Sequence, residues 1–263
     1  MAHQPRVVNK VVTDVPEPEI SKAYYGKLMG APQVFRIASD KPFHLYVNVL
    51  VPDIVGQKQD VSAVIVKDND NAHPLAMLDA STFQWKIFFE PFGHDTYWMG
   101  PEYRSDVGPG TYRVSVYSPN NDSRYSLAIG ETESFGFTET ANAIKLIPEL
   151  KRDFFDESPA NFVLSPFGFG YILIVYALAF IMVFASRLIL KKFGNTPARR
   201  QVRNIGNPAR WLRALAGTAL LAWAVATTWG LVIILLSGFV IFESLFSWSL
   251  FYAIVGRDFR PTG

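Results

Sequence analysis

The chain contains no cysteine and only four histidines among its 263 residues. Without cysteine it has no disulfide framework, no thiolate metal site and no thiol nucleophile. The sequence also lacks a Gly-x-Ser-x-Gly turn, and no glycine-rich phosphate loop follows a predicted strand. These absences argue against several classes of enzyme, and we expect a protein that is not an enzyme.

Acidic residues are scarce in the second part of the chain. Residues 1–157 carry 21 acidic and 15 basic side chains, a net charge of −6 (15 − 21), whereas residues 158–263 carry 10 basic side chains and only Glu243 and Asp258 as acids. Long apolar runs dominate this second part. The sequence therefore predicts two unlike parts, and its basic residues are expected to flank a membrane rather than to bind nucleic acid.

Residues 166–190 are predicted to form a transmembrane helix. The first 20 residues of the run from Phe167 to Leu190 carry no charge. At about 1.5 Å per residue, such a helix spans a hydrocarbon core of about 30 Å. The alternative is a buried core helix, which would rarely be apolar on every face.

Residues 211–256 form a second apolar region, which is too long for one helix. We predict a hairpin of two further spans that turns near Thr227–Gly230, which gives three spans in all. The alternative is one long helix from Leu212 to Val240, followed by an interfacial segment around Glu243 and Trp248. Glu243 is the one acid in this region, and we favour a structural or helix-packing role for it.

Three segments of this region resemble the YgaP-like inner-membrane hairpin family: Asn204–Gly206, Arg210–Arg213 and Leu250–Gly256. The resemblance implies a two-span hairpin over the last quarter of the chain. Members of the family typically carry a cysteine before a Leu/Pro-x-Tyr element and a Thr-Cys-Pro after the glycine. Here those places hold Ser249 and Phe259-Arg260-Pro261, so a thiol-linked role is not expected.

Basic residues lie in the predicted loop 191–210 and next to it, and no acidic residue lies among them. The positive-inside rule places this loop in the cytoplasm of a bacterial cell, next to anionic lipid headgroups. The β-rich part is then extracytoplasmic, and the tail 257–263 is cytoplasmic. The basic residues are Arg187, Lys191, Lys192, Arg199, Arg200, Arg203, Arg210 and Arg213.

Export of the N-terminal part needs a signal, yet the sequence begins Met1-Ala2-His3-Gln4-Pro5 without an apolar segment. We hypothesise that the precursor is longer. Cleavage after Ala2 would leave His3 as the first residue of the mature chain.

Residues 33–137 are predicted to form an all-β sandwich of the jelly-roll type. An extended lead-in (1–32) precedes it, and a short helical connector (138–165) leads to the membrane, with Phe154, Phe155 and Phe162 at the interface. Short alternating or apolar runs separated by turn residues support the sandwich. The expected strands are Val34–Ile37, Phe43–Val51, Val61–Lys67, Leu75–Asp79, Phe83–Phe88, Thr111–Ser118 and Tyr125–Gly130.

The segment Gly108–Ser118, followed by Arg124–Glu131, resembles the closing hairpin of the pre-peptidase-type jelly-roll domains of secreted proteins. The resemblance implies binding of partners, sugars or ions rather than catalysis.

The densest polar cluster is an aromatic-rich stretch from Glu90 to Glu102, which we interpret as a loop between two strands. Its carboxylates and imidazole are ligand types for a divalent ion such as calcium, although their spacing matches no established metal motif. The alternative is a loop whose polar groups bond its own turns. A second hypothesis adds His3 as a copper ligand, with His44, His73 or His94 as a further nitrogen. The metal candidates are His3, Glu90, His94, Asp95 and Glu102.

The sequence thus predicts an extracytoplasmic binding or assembly module, anchored in the bacterial cytoplasmic membrane and free of cofactors. Its expected partners are the lipid bilayer and either another protein or a second copy of the chain, and not nucleic acid. The alternative is a metal-handling membrane protein that binds copper or calcium through His3 and the Glu90–Glu102 stretch.

Overall fold

The computed structural model describes residues 3–68, 73–194 and 203–256. The chain forms two compact units, residues 1–157 and 158–263. The first unit is a β-sandwich and the second is helical. The strands of the sandwich are β1 (Gln4–Val7), β2 (Val12–Asp14), β3 (Lys22–Lys27), β4 (Gln33–Ser39), β5 (Phe43–Pro52), β6 (Ser62–Lys67), β7 (Ala76–Leu78), β8 (Lys86–Glu90), β9 (Asp95–Val107), β10 (Gly110–Tyr117) and β11 (Arg124–Ile129).

The strands form two sheets with a common hydrophobic core. One sheet has the order β1-β3-β11-β5-β9-β8 and the other the order β2-β4-β10-β6-β7. Strand β5 shows how alternation builds the core, because Leu45, Val47 and Val49 lie between the sheets and are fully buried. On the opposite face of β5, Tyr46 and Leu50 are also buried. The six-stranded sheet is therefore covered on both faces.

The longest strand, β9, covers Asp95–Glu102 of the stretch that we interpreted as a loop, so that interpretation is wrong except for the turn at residues 91–94. Gly100 and Pro101 interrupt its alternation, and a register shift opposite Asn48 and Leu50 marks a β-bulge there. The Asn48 side chain donates to the carbonyl oxygens of Gly100 (3.1 Å) and Pro101 (3.3 Å). Because the side chain of Asn48 satisfies these two carbonyls, the strand crosses the bulge and remains paired with β5.

The first 32 residues, predicted to be a lead-in, contain three strands of the sandwich. β1 runs parallel to β3 and β2 runs parallel to β4. The backbone nitrogens of Glu131 and Thr132 donate to the carbonyl of Glu19, which ties this segment to the end of β11. β1 and β2 are only four and three residues long, and β3 pairs with the distant β11, so local alternation does not reveal these three strands.

The predicted connector 138–165 is divided between the two units. Helix α1 (Phe137–Glu149) continues into a π-helical turn, Leu150–Phe154, in the first unit. Phe154 and Phe155 are buried against the outer face of the six-stranded sheet, not exposed to a membrane interface. Their rings contact Tyr25 and Tyr97 edge to face. Only the 3₁₀ helix Pro159–Leu164 belongs to the second unit.

The helical unit contains α2 (Pro166–Phe193), α3 (Asn207–Thr227), α4 (Leu231–Phe246) and α5 (Leu250–Val255). Within the described residues, α2 is the one helix long and apolar enough to cross a bilayer, while α4 is apolar but has only 16 residues. The structure thus gives a helical C-terminal region with one clear span. The expectation of three spans goes beyond this finding.

The predicted break near Thr227–Gly230 is confirmed, and the alternative of one long helix is wrong. Trp229 has a left-handed backbone (φ 54°), and its buried indole nitrogen donates to the carbonyl of Pro159 at 3.0 Å. Small residues then allow close helix contact, since a Cβ on Gly217 would meet Ile241 of α4 and one on Gly238 would meet Ala179 of α2.

Candidate functional site

A cavity of about 50 Å³ lies between the outer face of the six-stranded sheet and the segment formed by α1 and the π-helical turn. It is large enough for roughly three water molecules. Two carboxylates, an imidazole and two phenols line it beside apolar side chains. The lining residues include His3, Tyr25, Leu50, Phe88, Glu90, Asp95, Tyr97, Ile147 and Leu150.

The β8–β9 hairpin places the two carboxylates side by side. Glu90 and Asp95 are paired at its end, and the turn between them contains His94 with a left-handed backbone (φ 61°). The Glu90 carboxylate accepts hydrogen bonds from the backbone nitrogens of Phe92 (2.7 Å) and Gly93 (2.6 Å). These bonds hold the carboxylate at the turn. They are the bonds expected from the alternative interpretation, in which polar groups of this stretch bond its own turns.

Lys151 is fully buried and connects the π-helical turn to the hairpin. Its ammonium lies 2.5 Å from a carboxylate oxygen of Asp95 and 3.2 Å from one of Glu157, and it donates to the carbonyl of His94 at 3.1 Å. A buried ammonium requires such partners because its desolvation is costly. The cluster Asp95–Lys151–Glu157 therefore fixes the helical segment on the sheet.

The sequence analysis missed Lys151, although the sequence contains a signal for it. Ile147, Leu150 and Phe154 are spaced as the apolar stripe of a helix, and Lys151 falls inside that stripe. A charged residue at such a position is either solvated at an edge or paired in the interior. Here Lys151 is paired in the interior. It lies in a π-helical turn, a feature that recurs at functional sites.

Burial shifts the protonation of the groups around the cavity. It raises the pKa of Asp95 to about 7, although Lys151 opposes the shift, and it raises the pKa of Glu90. Burial also lowers the pKa of His3 to about 4. The imidazole of His3 is consequently neutral at neutral pH, and its Nδ1 lies 2.5 Å from the hydroxyl of Ser21.

We expect the stability of the sandwich to depend on the titration of Asp95. The folded chain binds this proton more tightly than the unfolded chain, so the stabilisation is complete below the ordinary pKa of 3.8 and is lost as the pH rises through about 7. Urea unfolding of the full chain at a series of pH values should show this loss. Asp95→Asn should flatten the profile in this window, and an unchanged slope would rule out Asp95 as its source.

The structure brings three of the five predicted metal candidates together and leaves two apart. His3, Glu90 and Asp95 line the cavity, whereas the ring of His94 packs against Phe89. Glu102 lies further along β9, where it accepts a hydrogen bond from Tyr46 at 3.1 Å. In the described part of the chain, no group of three or more His, Asp or Glu residues is arranged to hold a metal ion. The metal site stays a prediction.

The predicted lipid-facing basic residues do not all have the same surroundings. Arg187 stacks over the ring of Phe246 at 5.1 Å, and Arg210 donates to the carbonyl of Ser244. Lys191 and Lys192 are in the last turn of α2, and Arg203 is exposed. Arg199 and Arg200 lie outside the described residues. Within the described residues, both predicted lipid-facing cations of α3 contact other parts of the helical unit, since Arg213 lies 3.8 Å from Glu243.

Glu243 is buried in a polar network that joins α3, α4 and α5. It accepts a hydrogen bond from the backbone nitrogen of Leu250 at 2.6 Å. Beside it, the Asn204 side chain accepts from the nitrogen of Ser249 and donates to its carbonyl. The contacts agree with the structural role that we favoured for Glu243.

Strand β8 carries exposed apolar side chains at the edge of its sheet. Ile87 is 63% exposed and Phe89 is 48% exposed. Within the described residues, β8 pairs only with β9, so the backbone groups on its other side are free. We call this feature the β8 edge (Lys86–Glu90). Sequence alternation predicted the strand but not its position at the edge.

Comparison with solved structures gives distant similarities. The pre-peptidase C-terminal domain of a collagenase from Bacillus anthracis aligns with 13% identity and a TM-score of 0.27, covering 49% of this chain and 96% of that one. The copper-binding surface protein CorA of Methylomicrobium album BG8 aligns with 8% identity and a TM-score of 0.24, covering 48% of this chain and 98% of that one. The first belongs to the type of domain that the β10–β11 segment resembles in sequence.

No curated protein sequence matches the chain. The family comparison gives a match for the C-terminal segment, 62 of the 263 residues. Residues 201–262 match the family described as inner membrane protein YgaP-like, transmembrane domain, which confirms the resemblance found in their sequence.

Proposed function

We propose that this membrane protein is an extracytoplasmic, non-catalytic assembly module that binds a protein partner through the β8 edge. The observation that carries the proposal is the exposure of Ile87 and Phe89 on a terminal strand with free backbone groups. Natural sheets usually protect such edges with charges, proline, bulges or a covering segment. Charged residues stand only at the two ends of β8, so Ile87 and Phe89 between them form an apolar edge of the kind that serves as a contact surface.

In this proposal the helical unit anchors the sandwich in a bacterial cytoplasmic membrane with three spans. The charges support the orientation, since eight cations and no acid occupy the interval from Arg187 to Arg213. Moving such a segment across a membrane is unfavourable, which keeps it in the cytoplasm and leaves the sandwich outside. With three spans, the C-terminus is cytoplasmic.

A photo-crosslinking amino acid at position 89 tests the contact surface in living cells. We expect an adduct with a protein when benzoylphenylalanine replaces Phe89. The matched control is Phe137, which is 91% exposed but lies at the start of α1 rather than on a sheet edge. Equal adduct yields at the two positions would mean that exposure alone causes the crosslinks, and the proposed contact surface would be withdrawn.

The second candidate function is metal handling. It is favoured by the cavity that His3, Glu90 and Asp95 line. The imidazole of His3 is neutral there, which is the form that binds a metal ion. Elemental analysis of protein purified without chelator tests it. A stoichiometric copper or calcium ion that is lost in Glu90→Gln would favour this candidate, whereas metal-free protein with no uptake on titration would exclude it.

A further inference from the structure

We propose that the partner at the β8 edge is a second copy of this chain, joined by antiparallel pairing of β8 with β8 about a two-fold axis at Phe88. This inference rests on the proposed function of the β8 edge and names the partner. Closed two-fold assembly requires a surface that is complementary to itself. The five residues of β8 meet that requirement.

The charges of β8 fix one register. With Phe88 opposite its own copy, Lys86 of each strand lies opposite Glu90 of the other, whose carboxylate also accepts hydrogen bonds from Phe92 and Gly93 of its own chain. Opposite charges placed directly across an antiparallel pair are stabilising. Moving the register by two residues in either direction leaves Lys86 or Glu90 opposite an apolar residue. A shift of one residue would join the outer face of one sheet to the core-facing side of the other.

The same register also buries the exposed apolar side chains. Ile87 of one strand lies opposite Phe89 of the other, so the two most exposed apolar residues of β8 cover each other twice in the dimer. Phe88 already packs against the buried cluster under the π-helical turn. The paired strands would join two six-stranded sheets into one continuous sheet in which both β8 edges are covered.

Attachment to a membrane favours this pairing. Two copies confined to the same bilayer meet at a higher effective concentration than free proteins, so a short interface of five residues per chain can be sufficient. The pairing also explains why β8 has an apolar edge that a soluble monomer would protect.

The absence of cysteine makes a register test straightforward. Two differently tagged full-length chains, Ile87→Cys and Phe89→Cys, are expressed together, and their membranes are treated with a mild oxidant. Residues directly opposite have Cα atoms about 4.5–5.5 Å apart, which suits a disulfide. We expect the mixed disulfide to form about tenfold more than the Ile87–Ile87 disulfide, because diagonal neighbours are roughly 7–8 Å apart.

The control pair combines Ile87→Cys with Val55→Cys, since Val55 is fully exposed in a loop. Lys86→Glu should decrease the mixed disulfide several-fold by placing like charges opposite each other. Mixed disulfide no more abundant than in the control pair overturns the homodimer. If position 89 then crosslinks to a different protein, the proposed function stands without the homodimer, and if it crosslinks to nothing, the proposed function itself fails.

Discussion

Replacement of Lys151 with methionine is expected to lower the free energy of unfolding of the β-sandwich by about 3–5 kcal/mol at pH 8, because removing one partner of a buried ion pair leaves the other charge uncompensated. Lys151 lowers the pKa of Asp95, so without the ammonium the buried Asp95 must either carry an unpaired charge or take up a proton at pH 8. At pH 5 the cost should be smaller, because Asp95, whose pKa is about 7, is protonated. Pulse proteolysis of the full chain in nanodiscs across a urea series measures both values.

The matched control for this variant is Lys145→Met, a lysine on the exposed side of α1. It should change stability by no more than about 0.5 kcal/mol. The double variant Lys151→Met with Asp95→Asn should recover part of the loss, since both charges are then absent. Equal costs for Lys151→Met and Lys145→Met would mean that the pair does not hold the helical segment on the sheet.

Replacement of Gly130 with alanine is expected to cost about 2–5 kcal/mol. A left-handed backbone with a Cβ costs about 1–2 kcal/mol, and overpacking adds about 1–3 kcal/mol. Gly130 has φ 80°, and a Cβ there would lie 2.6 Å from the carbonyl oxygen of Ile20 and 2.7 Å from the backbone of Glu19. The added methyl would push the N-terminal segment away from β11. Urea unfolding of the full chain gives the cost.

Gly56 provides the control for the added methyl. Its φ is 83°, but nothing lies within 4 Å of a Cβ at that position. Gly56→Ala should therefore cost only the backbone contribution, about 1–2 kcal/mol. If the two variants are equally stable, residues 19–20 do not pack on Gly130, and the N-terminal strands are less firmly attached than the structure indicates.

Local sequence patterns were sufficient for strands that are long apolar or alternating runs bounded by turn residues. β5 and β10 begin and end close to the predicted residues. The helix break at Trp229 was also predictable, because an interfacial tryptophan and a glycine follow two β-branched residues.

Long-range contacts determined the features that the sequence did not reveal. β9 was missed because its bulge at Gly100 is stabilised by Asn48, a residue of another strand. β1 and β2 depend on parallel partners that are not their immediate neighbours in the chain, and β3 depends on β11, far later in the chain. Lys151 is part of the site only because the hairpin turn carries Asp95 to it.

The predicted metal candidates show the same division between local and long-range information. Glu90 and Asp95 meet because a tight hairpin brings the ends of β8 and β9 together, which a loop interpretation could not predict. Glu102 was grouped with them by sequence distance alone. In an extended strand, seven residues separate side chains by roughly 23 Å, so Glu102 and Asp95 cannot share a small site.

The location of the sandwich outside the cytoplasm is tested most directly by cysteine labelling in intact spheroplasts. Because the chain has no cysteine, Val55→Cys and Asn195→Cys each provide a single thiol, one in the sandwich and one in the predicted loop 191–210. A membrane-impermeant maleimide should label position 55 in intact spheroplasts and position 195 only after lysis. Labelling of position 195 alone in intact cells would contradict the proposed orientation and, with it, the extracytoplasmic role.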